Sequence, residues 1–225
     1  MLSRHAKAAF YTVCGPAMKL NGWMYRQFRA PRNGSDTIRV QLGPGQEHYL
    51  EGWLNVDANA FTARCDVWAD LRNPLPLRDG TVDALYSHHV IEHLPDAMLE
   101  AHLRDVYRCL KPGGAFRIAG PNGDMAMRKY VEGDSRWFSN FPDRRESLGG
   151  RLTNFIFCRG EHLTILTHSY LEEIARRVGF PALRVCRPTV DTNFPELFDA
   201  QVLAHEHEDT LEAPHTLVVE GQKPR

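Results

Sequence analysis

Two glycines flanking a proline, Gly43-Pro44-Gly45, follow the apolar run Thr37–Leu42. Such a pair lets backbone approach a ligand closely, because glycine has no Cβ in the way. Asp57 closes the next apolar run, Trp53-Leu54-Asn55-Val56, at a place where a carboxylate can accept both hydroxyls of a ribose. Asp70 closes the third run, and the fourth ends in Ser87-His88-His89-Val90-Ile91-Glu92-His93-Leu94. Histidine, with an ordinary pKa near 6.5, suits proton transfer at neutral pH. His162, in Gly160-Glu161-His162, stands shortly before a later helix and is either a second reactive imidazole or a partner of loop backbone. His89 to His93 also has the His-x-x-Glu-His spacing that places two imidazoles on one helical face for zinc. Here the segment leaves a strand directly, Pro95 stops it, and a third ligand would have to come from far away. No metal is therefore expected; His89 and Glu92 are read as starting a short helix that fixes local structure. His205-Glu206-His207-Glu208-Asp209 reads as a solvated polar turn, and His168 as structural.

These residues need elements that bring them together. Strands are expected at 37–42, 53–57, 65–69, 82–87, 115–120, 182–186 and 216–220, with helices over 96–110 and 169–178. In the first helix Leu99, Leu103, Val106 and Leu110 form one apolar stripe, stopped by Lys111-Pro112-Gly113-Gly114. The second opens on a capping box of Ser169 and Glu172 and closes at Gly179. Alternating strands and helices give an α/β domain with a mainly parallel, seven-stranded, Rossmann-like sheet flanked by helices. Ligands of such sheets bind beyond the carboxyl ends of the strands, where strand order reverses. The short first crossover leaves room for only a turn or two of helix around Gln46–Leu50, and a turn is expected at Pro121–Asp124.

The segment from Val40 to Gly120 resembles the class I S-adenosylmethionine-dependent methyltransferases, most of all a bacterial subgroup with a very short first crossover. The residues that carry the likeness are Leu42-Gly43-Pro44-Gly45, Trp53 to Asp57, Ala69-Asp70-Leu71, Ser87 to Leu94 and Leu110 to Gly114. The resemblance implies S-adenosylmethionine as cofactor. It implies that Gly43 and Gly45, with Pro44 between them, contact its methionine portion, that Asp57 holds the ribose, and that Asp70 with Leu71 addresses adenine. Ser87 and His88 would flank the methionine and the transferable methyl. His88 and His162 are then the candidate catalytic pair, approaching an acceptor from opposite sides. The central Pro44 and the absence of a third glycine leave an alternative, a non-catalytic cofactor-binding or partner-binding protein on the same fold.

Acceptor specificity must come from what is added to the sheet. Residues 1–35 are expected to form an N-terminal helical cap or lid. It is read as a hairpin broken at Gly15-Pro16 and packed on the domain of residues 36–225, or as a lid over an active site, with Leu20, Trp23, Met24 and Phe28 on one face. Residues 125–160 form an insertion after the fifth strand, with seven cations against four acids and six aromatic side chains. It is read either as a small capping core or as a pocket for an acceptor with an anionic group, which arginine forks bind well. The expected partner is a small molecule. A formal net charge of −1 in 225 residues argues against nucleic acid, and no run approaches the roughly 18 apolar residues of a membrane helix. Five scattered cysteines without CxxC spacing point to reduced thiols in a cytoplasmic protein. The apolar stretch 8–14 is too short, and lacks a cleavage site, for a secretory signal.

Overall fold

A computed structural model describes residues 4–34, 36–59, 61, 63–208 and 210–225, with side chains from residue 8 onward. Seven strands, β1 (Arg39–Leu42), β2 (Leu54–Asp57), β3 (Val67–Trp68), β4 (Val82–His88), β5 (Leu110–Pro121), β6 (Leu183–Cys186) and β7 (Thr216–Gln222), form one sheet in the order β3-β2-β1-β4-β5-β7-β6. Pairings within β1 to β5 are parallel, and β7 runs antiparallel between β5 and β6. The sheet is thus mostly parallel and Rossmann-like.

Helix α2 (Asp96–Cys109) buries Leu99, Leu103, Val106 and Cys109, and packs against α5 (His168–Val178), which buries Leu171, Ile174, Ala175 and Val178. Burying each large aliphatic side chain contributes roughly 1.5–3 kcal/mol. Lys111-Pro112-Gly113-Gly114 is not the stop beyond α2 but the opening of β5. A Cβ on Gly114 would stand 2.9 Å from the Val82 carbonyl, so only glycine lets β5 lie this close to β4. Lys111 pairs with Asp83 at 2.7 Å, and the same carboxylate accepts the Ile38 N–H, tying β1, β4 and β5 together at their amino ends.

Several local expectations change. The first crossover carries turns at residues 45–47 and 51–52 and no helix; buried Leu50 donates its N–H to Gln41 and Asn55, so side chains replace the missing helix. Asn122 caps α3 (Gly123–Val131) where a turn was expected, accepting from the Met125 N–H. The cap of α5 is Thr167, not Ser169, which lies inside the helix. At the amino end α1 (Arg4–Met24) runs unbroken through Pro16 into a π-turn at Tyr25–Arg29, so there is no hairpin. Its inner face is Met18 and Gly22. Leu20, Trp23, Met24 and Phe28 are 48–72% exposed and face away from the domain. The apolar face expected from the spacing is thus turned to solvent.

The polar segment after α6 (Ala200–Ala204) is not a solvated turn. Glu206 is fully buried and grips Arg117 of β5 through two hydrogen bonds of 2.6 and 2.7 Å. Arg117 also bonds Glu220 of β7 at 2.6 Å, and Glu220 accepts from Thr192 and Asn193. Glu208 pairs with His215; Asp209 lies outside the described residues. Removing one partner of a buried ionic cluster strands the others in a medium that solvates them poorly. Arg117→Met should lower the unfolding free energy by about 3–5 kcal/mol, read from urea melts. A shift below about 1 kcal/mol would show that the cluster is not buried as described.

Candidate functional site

Registers Leu42↔Val56 and Leu42↔Ser87 set the ends of β1, β2 and β4 level, so Gly43, Asp57 and His88 come out side by side. Gly43 and Gly45 both have left-handed backbone (φ +66° and +60°), and a Cβ on Gly43 would stand 2.5 Å from Val90. Gly43 donates to the Val56 carbonyl, and Gly45 donates to Asp57 Oδ2 at 3.0 Å. Asp57 Oδ1 accepts the Asn59 N–H at 2.7 Å. The half-buried Asp57 carboxylate therefore holds the glycine turn open, and each oxygen keeps a lone pair for a further donor. A tight turn that only glycine can make, beside a pinned carboxylate, fits the methionine and ribose of S-adenosylmethionine.

At the expected adenine end, Asp70 is buried but already engaged. Arg72 grips both its oxygens in a fork of 2.7–3.1 Å, and the Arg72 guanidinium lies 3.5 Å above the Tyr11 ring of α1. Burial and the charge of Asp70 push the Tyr11 phenol up. Phe10 meets Phe61 nearby, so the first half of α1 lies over the loops that leave β2 and β3. Leu71 packs half-buried against the main core. Tyr11 and Arg72 had no motif to mark them, because their placement depends on the path of α1.

Beyond β4 the structure assembles a row of imidazoles. His88 stacks on Tyr86 and meets His89 at 4.5 Å and His48 at 5.5 Å, and His48 meets His205 at 5.3 Å. Burial, and then its histidine neighbours His89, His48, His205 and His207, push the His88 pKa down to about 2. It is neutral at any working pH and too weakly basic to take a proton from an acceptor, which corrects its expected role as a base. Ser87 is buried in register with Leu42. His89 Nδ1 bonds Glu92 Oε1 at 3.0 Å in the 3₁₀ turn Ile91–His93, the local structural role expected of this pair. Burial would raise the Glu92 carboxyl, but the His89 bond and the nearby His93 outweigh it and hold the carboxyl below its ordinary value.

His162 comes from the loop between the insertion and α5. Its ring packs on His93 at 5.1 Å and its Nδ1 bonds the Ile156 carbonyl at 3.2 Å; burial lowers its pKa. His89 of His-x-x-Glu-His is engaged with Glu92, and a different trio converges: one donor atom each of Glu92, His93 and His162 lie within 4.8 Å of one another. The expectation of no metal concerned the pair His89 and His93, not this trio. The insertion forms its own small core, with Trp137, Phe138, Ile156 and Ala126 packed between α3 and α4 (Leu148–Phe157). Four of its seven cations serve that structure: Lys129 pairs with Glu132, Arg145 and Arg159 with Asp143, and Arg151 donates to the carbonyls of Ser135 and Phe138. The capping reading holds for these four, and Arg128, Arg136 and Arg144 are exposed.

His88 and wholly buried His102 both have lowered pKa values, chiefly through burial. Such a histidine adds stability that is complete above its unfolded pKa near 6.5 and is lost as pH falls below it. The unfolding free energy read from urea melts should therefore drop between pH 7 and pH 5, by at most about 1.4 kcal/mol per pH unit from His88. His88→Asn should flatten that slope; an unchanged slope would mean that the imidazole is solvated.

Comparison with known proteins agrees with this geometry. The methyltransferase domain family matches residues 22–118. No curated protein matches the chain. Among solved structures, an S-adenosylmethionine-dependent methyltransferase of Archaeoglobus fulgidus superposes with a TM-score of 0.52 at 15% identity, over 98% of this chain and 95% of that one. A Thermotoga maritima protein described as an S-adenosylmethionine-dependent methyltransferase, possible histamine N-methyltransferase, superposes with a TM-score of 0.51 at 16% identity, over 97% and 95%. At these identities the likeness is one of fold. The matched segment spans the glycine turn, Asp57 and His88, and the chain as a whole has the fold of the S-adenosylmethionine-dependent methyltransferases it resembles.

Proposed function

We propose that this protein transfers a methyl group to an oxygen, nitrogen or carbon nucleophile of a small molecule. The observation that carries the reading is the turn Gly43-Pro44-Gly45 held open by Asp57 at the carboxyl ends of β1 and β2. When bound, S-adenosylmethionine supplies an electrophilic methyl on a sulfonium. Gly43 and Gly45, with Pro44 between them, would border its methionine portion, with Ser87 and neutral His88 at the same end. Asp57 would accept the ribose hydroxyls, and Leu71 would offer an apolar edge to adenine. Because the Asp70 carboxylate is occupied by Arg72, that pair would act on adenine jointly, with Arg72 held between Asp70 and Tyr11.

What remains for the chain is to align the nucleophile and exclude water, which can lower a barrier by roughly 7–11 kcal/mol. Residues 1–35 would serve as the cap over the cofactor, and residues 125–160, with exposed Arg128, Arg136 and Arg144, would border the acceptor. The row from His88 to His162 would line the acceptor side. The engagement of Asp70 by Arg72 favours a second reading, a binding protein without turnover on the same fold.

Asp57→Ala should weaken S-adenosylhomocysteine binding at least tenfold in calorimetry, since hydrogen bonds to a charged group contribute about 1.5–3 kcal/mol each. Asp57→Asn, which keeps an acceptor oxygen for Gly45, should lose less. Unchanged affinity in a folded Asp57→Ala variant would remove the cofactor from this turn. Binding without methyl transfer to any acceptor in a small-molecule panel would favour the second reading.

A further inference from the structure

We propose that Glu92, His93 and His162 form a binding site for a divalent first-row transition ion. Three independent features of the side chains converge there. One donor atom from each residue lies within 4.8 Å of the others. Two ligands of one ion, at about 2.0–2.1 Å each, stand no more than about 4.2 Å apart, so a small rotation of exposed His93 closes the set. Glu92 is 1% exposed, and while its Oε1 is engaged by His89, its Oε2 is buried with no partner. An unpaired carboxylate oxygen away from water is costly, and a cation beside it removes the cost.

The two imidazoles are oriented as metal ligands usually are. His93 bonds the Glu161 carbonyl through Nδ1 at 2.9 Å, and His162 bonds the Ile156 carbonyl through Nδ1 at 3.2 Å. A carbonyl can only accept, so each Nδ1 carries the proton and each Nε2 presents its lone pair. The backbone holds this arrangement across nearly seventy residues of sequence. Leu163 and Thr164 donate their N–H groups to the Glu92 carbonyl at 2.7 and 3.2 Å, and the Thr164 hydroxyl donates to the Leu94 carbonyl at 2.8 Å. Just before them, Cys158 and Arg159 adopt left-handed backbone (φ +43° and +59°), a conformation that disfavours non-glycine residues but turns the end of α4 toward His93.

Two imidazoles and a single carboxylate suit Zn²⁺, Co²⁺ or Mn²⁺ better than Mg²⁺ or Ca²⁺, which prefer oxygen ligands. Three protein ligands leave positions open on the exposed His93 side. An acceptor oxygen could take one of these and be acidified there; that use rests on the methyl-transfer reading, whereas binding of the ion does not.

The test is to strip the full-length protein with chelator, titrate it with Co²⁺, and follow both visible absorption and metal content. One Co²⁺ per chain is expected, displaced by Zn²⁺, with affinity lowered at least tenfold in His93→Ala, His162→Ala and Glu92→Gln. His93 is exposed, so its variant keeps the test decisive even if the other two fail to fold. His168→Ala, outside the cluster, should bind as the parent does. Absence of stoichiometric Co²⁺ in the parent, or unchanged affinity in folded His93→Ala, would overturn the proposal. So would Co²⁺ binding that is lost in His48→Ala or His205→Ala instead, since it would place the ion among the other histidines. S-adenosylhomocysteine binding, measured in parallel, separates this outcome from any failure of the methyl-transfer reading.

Discussion

The whole site depends on the double pairing of β1, with β2 on one edge and β4 on the other. Strand order reverses there, so the loops leaving β1 and β4 diverge and a crevice opens between them at the carboxyl ends. Parallel pairing then decides which residues meet. A shift of one residue in either register would turn alternate side chains to the opposite face of the sheet. Gly43, Asp57 and His88 would no longer stand level, and the bond from Gly45 to Asp57 would be lost. That bond is the local expression of the pairing, since it requires β1 and β2 to end together.

Buried charge supports the loops around His88. Arg117, Glu206 and Glu220 are all fully buried, and their hydrogen bonds join β5, β7 and the segment just after α6. Glu206 follows His205 directly, so the same anchor that satisfies Arg117 sets His205 beside His48, and His48 beside His88. The clasp of Leu163 and Thr164 on the Glu92 carbonyl brings His162 to His93. Burial is the main cause that lowers the pKa values of His48, His88, His162 and His205. The neutral state of His88 follows directly, because a buried cation surrounded by other imidazoles is penalised twice.

Much of the scaffold could be read from local chemistry. Apolar runs of strand length, the stripe Leu99-Leu103-Val106 and the glycine beyond α5 each act through neighbours in the chain, so the order of elements and the mainly parallel sheet were accessible. So were the glycine turn and Asp57, because a strand ending in glycine and the next ending in an acid place them at one end of a parallel sheet whatever surrounds them. Where local signals compete, the reading failed. Thr167 and Ser169 are both good caps, and packing chose between them; Lys111 to Gly114 reads as a helix stop, yet it has to pair with β4 as well.

The sequence by itself determined the fold class and the residues of the glycine turn at the carboxyl end of the sheet, since these depend on periodicity and on the conformational freedom of glycine. Only tertiary structure decided the direction of the apolar face of α1, the burial of Glu206 and the capture of Asp70 by Arg72. It alone brought His162 to Glu92 and His93. Each of these is set by contacts between residues distant in the chain, and a charged or apolar side chain carries no mark of whether its partner will be water or protein. The sign of an amphipathic face and the solvation of an ionisable group are properties of the packed interior, and they come into being only when the interior does.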